Sequence, residues 1–443
     1  MRGCEPHTPS ALNGSDCESE NIKPMNDMPG AAPASLDDGL VRPLAGVRVL
    51  ELGRLYAAPF ATQILADMGA DVIKVERPGH GDDFRHYAPR TVQDAAGGEC
   101  VESSNYRSVN RNKRSITVDI RRPEGQKIIK DLTRTSDIVV ENFKVGTLKK
   151  YGLDYEALKA VHPDIIYLSV TGFGQDGPYA TRPGTDAIFQ AMSGLMSLTG
   201  EPGRLPQRIG VVVSDMVTGL YAANAMLMAL RAREVQGAGG QFIDVALLDC
   251  SLSAVAAQAI EMFTSGRVPT RLGPRAYGSA PSEIFRCSDG LLQMQATANE
   301  QFHRLCDAMD LPGLKTDPRF ASRMDRYNNI EELAAILNDR FGTATVREWY
   351  DRLVAADVMC APVYSLDQTF EDPQVKHRGL RVDLDRAGVD TVSVIANPIR
   401  LGGKAVQNYA APPFLGQDTA NVLEQELGLS AKDIEELNEK GIV

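Results

Sequence analysis

The stretch GVRVLELGRLYAAPFATQILADMGADVIKVERPGHG, residues 46–81, decides how the chain folds. Residues 46–52 read as a buried strand, apolar enough to be covered on both faces. Residues 58–69 follow as a helix, with Pro59 in its first turn and Gly69 as its stop. Residues 71–76, DVIKVE, make the next strand. Strand, helix and strand in this order form a βαβ unit, the building block of a parallel sheet.

Outward from this unit the alternation continues. Further strands are expected at 115–120, 137–142, 164–170 and 241–249, and helices at 123–135, near 154–161, at 187–198 and at 216–233. Residues 207–215, QRIGVVVSD, are expected to run as a strand into a turn. The fold class is therefore α/β with a mostly parallel sheet. Beyond about residue 265 the pattern changes to a hairpin at 283–296 and amphipathic helices at 300–309 and 330–341, a smaller α+β domain. Extended segments at 358–366 and 391–399 and charged helices at 418–427 and 430–440 complete the chain. Residues 1–40 hold five prolines and seven acidic residues against two basic ones, so disorder is expected there. That segment has neither the apolar core of a secretory signal nor the arginines of a mitochondrial transit peptide. The expected division is an extension at 1–40, a large domain at 41–250, a linker and small domain at 251–355, and a return to the large domain at 356–443.

Of the 443 residues, 43% are hydrophobic and 24% charged, an ordinary globular mixture. The net charge of −11 argues against a general nucleic-acid-binding surface, so an anionic ligand must meet a local cluster of Arg and Lys. No apolar run approaches the ~20 residues that span a bilayer, and no membrane association is expected. The seven cysteines form no C-x-x-C pair, which fits reduced thiols in a cytoplasmic protein. The six histidines are scattered, without metal-ligand spacing, so no catalytic metal is expected.

The first strand ends in ELGRLYAAP, residues 51–59, where a dinucleotide-binding enzyme would need G-x-G-x-x-G. Only Gly53 is present, although the turn can still offer N–H groups to an anion. Arg77 and Arg121 fall just past the carboxyl ends of two strands, the edge at which parallel sheets bind ligands, and suit a polyphosphate. Scattered surface charge is the plain alternative. Asp215 opens the long helix after the run IGVVVS; it is either an N-cap or a nucleophilic carboxylate at the ligand edge. Asp186 and Glu300 are two further acids, either capping and surface residues or members of a site.

The quoted stretch, together with NRNKRSITVDIRRPEG, IVVENFKVGTLKKYGLDYEAL, YLSVTGFGQDGPYATRPGTDAIFQAMSGLMSLTG, VVVSDMVTGLYAANAMLMAL and PPFLGQDT, resembles the class III CoA-transferase family from about residue 44 to the C-terminus. The pattern is most similar to succinyl-CoA–dicarboxylate CoA-transferases. The resemblance implies a Rossmann-like large domain, a smaller domain and an interlocked homodimer. It implies that coenzyme A is a substrate, with no permanently bound cofactor, and that the other partner is a carboxylic acid. On matching positions it assigns Asp215 as the catalytic aspartate, Asp186 as an acid near it, and Arg77, Arg121, Asn142, Phe143 and Lys150 as CoA-binding residues. Leu55 and Ala57 would line the CoA groove through backbone atoms. Tyr56 stands where formyl-CoA transferase has glutamine, which argues against a formyl/oxalate substrate pair.

The implied reaction moves CoA between two acids through an aspartyl-CoA thioester on Asp215. Residues 273–278 would form a lid, and Arg275 or Arg182 would meet the second carboxylate of a dicarboxylic acid. Two alternatives stand beside it. One is an α-methylacyl-CoA racemase using Asp215 and Glu300, although the histidine of that subfamily is Thr185 here. The other is a CoA-binding protein without transfer activity.

Overall fold

The computed structural model describes residues 42–87, 90–93, 99–386 and 389–443. The expectation for residues 1–40 lies outside these residues. Six strands, β1 (Arg48–Glu51), β2 (Asp71–Glu76), β3 (Lys113–Thr117), β4 (Ile138–Glu141), β5 (Ile166–Thr171) and β6 (Phe242–Ala246), form one sheet in the order β3-β2-β1-β4-β5-β6. Every pairing in it is parallel. This is the doubly wound order, and its direction reverses between β1 and β4. The loops after those two strands leave toward opposite faces there, which opens a crevice at the carboxyl edge.

Side chains alternate across the sheet because successive residues of a strand point to opposite faces. Val49, Val72 and Val140 pack on one face with α1 (Ala57–Asp67), while Leu50, Ile73 and Val139 pack on the other with α2 (Pro123–Thr133). The segment 186–198 is broken at Gly194 (φ +90°) into α3 (Asp186–Met192) and a short turn at Leu195–Leu198, where one helix was expected. The long helix is α4 (Val213–Gln236), which lies against α1 through Ala222, Ala223 and Met226. It is long and apolar enough to cross a bilayer, but it packs on the sheet and carries Asp215 in its first turn.

The expected strand at 207–215 is not formed: the segment runs without a strand partner and becomes helical at Val213. Its β-branched run is only partly covered, with Val211 57% exposed. The Ile209 N–H bonds the Gln190 side chain (2.8 Å) in place of a neighbouring strand.

The strand expected at 241–249 gives way to a helical segment at Leu247–Ala254, and α5 (Ala256–Ser265), none of whose residues is buried, follows it. The expected hairpin exists as β7 (Ser282–Arg286) and β8 (Leu291–Gln295), joined by α6 (Asn299–Ala308) and by β9 (Met359–Pro362) on the far side of β8. The pairing of β9 with β8 brings Met359–Pro362 into this antiparallel sheet. Its core holds Phe285, Met294, Phe302 and Trp349. The segment at 391–399 is one arm of a hairpin, β10 (Arg381–Arg386) with β11 (Asp390–Ile395). The charged alternation RVDLDR hid the first arm. Helices α7 (Thr419–Leu427) and α8 (Ala431–Glu439) return to the parallel sheet, where Val422, Leu423 and Ile434 join Leu50 and Ile129.

Candidate active site

A groove runs outside the carboxyl ends of β3, β2, β1 and β4, across the point where the strand order reverses. Gly53 and Arg54 after β1, Arg77 after β2, Val118 to Arg121 after β3, and Phe143 after β4 line it. Arg77 and Arg121 thus meet in one cleft, together with Phe143. Arg54, which nothing in the sequence singled out, joins them with its guanidinium over the Phe143 ring (4.8 Å). The Phe143 N–H bonds Glu141 Oε2 (2.7 Å), which fixes the turn that presents the ring. Lys150 is exposed and does not line the groove; it sits on the turn Leu148–Tyr151, whose Tyr151 does. Asn142 acts on the groove through backbone: it accepts the Arg54 N–H (2.8 Å) and donates to the Arg54 carbonyl (2.6 Å).

Each arginine of the groove already faces a carboxylate. Arg54 pairs with Asp83 (2.8 Å), Arg77 approaches the same residue (3.9 Å), and Arg121 grips Asp119 with two hydrogen bonds of 2.8 Å.

The loop from β1 continues from the groove to Asp215. Leu55 adopts a left-handed conformation (φ +63°), and Tyr56 opens α1. The Ala57 N–H then faces the Asp215 carboxylate and favours its ionised form; neither Leu55 nor Ala57 is among the residues that line the groove. Asp215 lies in the first turn of α4, two residues inside its start, and is no N-cap. Burial and the neighbouring Asp186 push its carboxyl up to about 7, and the Ala57 N–H only partly offsets them. Tyr56 stands close enough that burial and the charge of Asp215 both push its hydroxyl up. Its ring packs against Phe60 (5.6 Å) and edge-on to Phe84 (6.1 Å).

Asp186 is buried, and one of its oxygens holds the start of α4 while the other is held within α3. Oδ1 accepts the Ser214 N–H (2.9 Å), and Oδ2 accepts the side-chain N–H of Gln190 (2.7 Å). Asp186 therefore supplies the helix cap expected of Asp215. Gly219, one turn further along α4, is where α1 comes closest: a Cβ built there would stand 2.9 Å from the Ala57 carbonyl oxygen and 2.7 Å from Phe60.

Three expected contributors are placed elsewhere. Glu300 is exposed on α6, in the unit built on the small antiparallel sheet, rather than beside Asp215 in the first turn of α4. Arg275 is tied to Glu283 (3.1 Å) and Glu331 (2.9 Å), so two carboxylates compete for the guanidinium that was to meet a substrate acid. Arg182 lies with its guanidinium over the Tyr179 ring (3.9 Å). Among the described residues no cluster of His, Cys, Asp and Glu could hold a metal ion.

Sequence comparison decides the family. Residues 44–419 match the model of CoA-transferase family III. The chain belongs to that family. A succinate–glutarate CoA-transferase of Agrobacterium fabrum is 41% identical over 399 residues, 90% of this chain and 97% of that one. The succinyl-CoA:glutarate CoA-transferase of Homo sapiens is 38% identical over 404 residues, 91% of this chain and 90% of that one. A crystal structure of a CaiB/BaiF family protein from Brucella suis superposes with a TM-score of 0.78 at 39% identity, covering 87% of this chain and 99% of that one. The protein is a family III CoA-transferase.

Proposed function

We propose that this CoA-transferase moves CoA from succinyl-CoA to a second dicarboxylic acid through a thioester on Asp215. The observation that carries the assignment is the placement of the Asp215 carboxylate, next to the groove and under the Ala57 N–H at the start of α4. The substrate class is supported by relatives that are named succinate–glutarate and succinyl-CoA–D-citramalate CoA-transferases. CoA enters as substrate, its phosphates exchanging with Asp83 and Asp119 for Arg54, Arg77 and Arg121. No permanently bound cofactor is required.

In the first step Asp215 attacks the thioester carbonyl of succinyl-CoA. The C–S bond breaks, CoA leaves as thiolate, and a mixed succinyl-aspartyl anhydride forms. The thiolate then attacks the aspartyl carbonyl, releasing succinate and leaving Asp215 as a CoA thioester. The acceptor carboxylate attacks that thioester, giving a second anhydride and free thiolate. Attack of the thiolate on the acceptor's carbonyl yields the new acyl-CoA and restores Asp215. One thioester is exchanged for another, so no outside energy source enters. The Ala57 N–H and the start of α4 stabilise charge at the aspartyl oxygens. Tyr56 is the neighbouring hydroxyl, placed to face the reacting carboxylate.

The nucleophile must be ionised. With Asp215 at about 7, kcat/KM for succinyl-CoA rises with pH and levels off above that value. Mass spectrometry tests the intermediate: native enzyme mixed with succinyl-CoA carries a CoA adduct on Asp215, and an adduct elsewhere or none refutes the mechanism. Arg77→Ala raises KM for succinyl-CoA by about 10- to 100-fold with little change in kcat, the loss expected of one charge-assisted phosphate contact. An unchanged KM removes Arg77 from the CoA site.

A homodimer accords with the apolar surface left uncovered in one chain. On α5, Ile260 is 60% and Phe263 72% exposed, and Met228 on α4 is 68% exposed. The free cysteines Cys250, Cys287, Cys306 and Cys360 support a cytoplasmic setting.

A further inference from the structure

The loop between β1 and α1 carries a strained residue, and groups from β2, from the loop after β2 and from the turn after β4 hold it. The Gly53 carbonyl accepts from Lys74 Nζ (2.9 Å). Arg54 is held at both its N–H and its carbonyl by Asn142. The Leu55 N–H donates to Asp82 Oδ1 (3.0 Å), which also accepts the Phe84 N–H (2.9 Å). A leucine at φ +63° has its Cβ crowding the backbone, a strained conformation for a side chain of this size. Such a residue persists only where its surroundings over-determine it.

Those surroundings are ionic and sealed from water. Lys74 bridges Glu51 (2.8 Å) and Asp82 (2.9 Å), and Lys113 meets the other oxygen of Glu51 (2.8 Å), with all four side chains fully buried. Two lysines and two carboxylates leave the cluster balanced. A balanced buried cluster is weak evidence for stability, since apolar packing would do as well, but it fixes geometry. What it fixes is the loop that leads into the Ala57 N–H, the donor that reaches Asp215.

We propose that Asp82 is a positioning residue for the transfer reaction: by holding Leu55 in its left-handed conformation, with Lys74 and Asn142 holding the two residues before it, Asp82 aims the Ala57 N–H at the carboxylate of Asp215. The inference rests on Asp215 being the nucleophile. Without the clamp Leu55 relaxes to negative φ, the start of α1 turns, and Asp215 loses a donor to its ionised form. That loss moves its titration upward and lowers the rate together.

The test compares Asp82→Ala, Asn142→Ala and the double variant Asp82→Ala/Leu55→Gly with native enzyme. Asp82→Ala is expected to lower kcat about 10- to 100-fold and to move the acid limb of the pH profile to higher pH. Asn142→Ala, which leaves no buried charge behind, keeps the question open to decision if Asp82→Ala does not fold, and it should move the limb in the same direction. Glycine takes φ +63° without strain, so Leu55→Gly should restore part of the lost kcat and return the limb toward native. A role in stability alone would lower the yield or the melting temperature and leave the limb where it was. The proposal fails if the folded variants keep the native acid limb, or if Leu55→Gly restores nothing. Adduct trapping separates the two layers: native enzyme lacking a CoA adduct on Asp215 overturns nucleophile and clamp together, whereas a normal adduct with unmoved limbs overturns the clamp alone.

Discussion

Asp215→Asn is expected to lower kcat by ~10⁴-fold or more and at the same time to raise the melting temperature above neutral pH. The first effect follows from removing the nucleophile, because an amide nitrogen cannot form the anhydride or the thioester. The second follows from what burial and Asp186 do to the native carboxylate. Its pKa stands at about 7 in the folded chain against 3.8 in the open one, so the folded state keeps a proton that the unfolded chain gives up. Stability linked to that proton is present at low pH and is lost as pH rises through 7. A gap of that size between the folded and the open chain makes the ionised residue a burden of about 4 kcal/mol at pH 8. Asparagine carries no such burden. Melting curves at pH 5 and pH 8 decide the matter: the variant should gain about 5 °C over native enzyme at pH 8 and roughly 2 °C at pH 5, where only part of the linked stability has yet been lost. Equal melting at both values would show that Asp215 is not held against its charge.

Gly219→Val is expected to lower turnover by roughly 10²-fold without touching a reacting group. An added Cβ meets the Ala57 carbonyl oxygen at 2.9 Å and the Phe60 ring at 2.7 Å, and valine adds two methyl groups to that collision. At an open mid-helix position Gly→Ala stabilises by about 1 kcal/mol. Here even alanine should cost stability, and valine about 1–3 kcal/mol, because α1 has to move away from α4. That movement carries the Ala57 N–H off Asp215, and a misplacement of about 1 Å is worth roughly 10²-fold in rate. Circular dichroism and steady-state kinetics on Gly219→Ala and Gly219→Val give a graded series. Wild-type kcat in a folded valine variant would break the link between helix spacing and reactivity.

Much of this arrangement is written locally. The buried strands around Val49, Val72 and Val139 announce themselves as apolar runs, and the arginines at strand ends mark the ligand edge because a parallel sheet has only one such edge. Asp215 could be placed at the opening of a helix, but the helix start and its cap could not. The run at 207–212 has the composition of a strand and lacks a partner, and the capping carboxylate comes from Asp186 in another helix. The raised pKa of Asp215 was hidden for the same reason, since burial is a property of the packed chain; the helix terminus taken alone favours easy ionisation. Lys74 and Lys113 look like solvent-facing charges inside strands. Their carboxylate partners, Glu51 and Asp82, arrive through strand pairing and a loop, so only the assembled sheet shows that the four form one buried cluster. Lys150 and Glu300 show the converse: a family position fixes where a residue lies in the chain, and the exposure of its side chain depends on the turn or helix that carries it.

The pairing of the three groove arginines with two aspartates gives the groove a property of its own. Asp83 and Asp119 engage these guanidinium groups as internal stand-ins, so part of the positive charge is met from within the chain. A lone inorganic anion offers too little to evict them, while a coenzyme that brings several phosphates on one scaffold can evict them as a set. When that coenzyme departs, the aspartates close behind it, and the cradle sheds most of its positive charge without having to capture anything from solution.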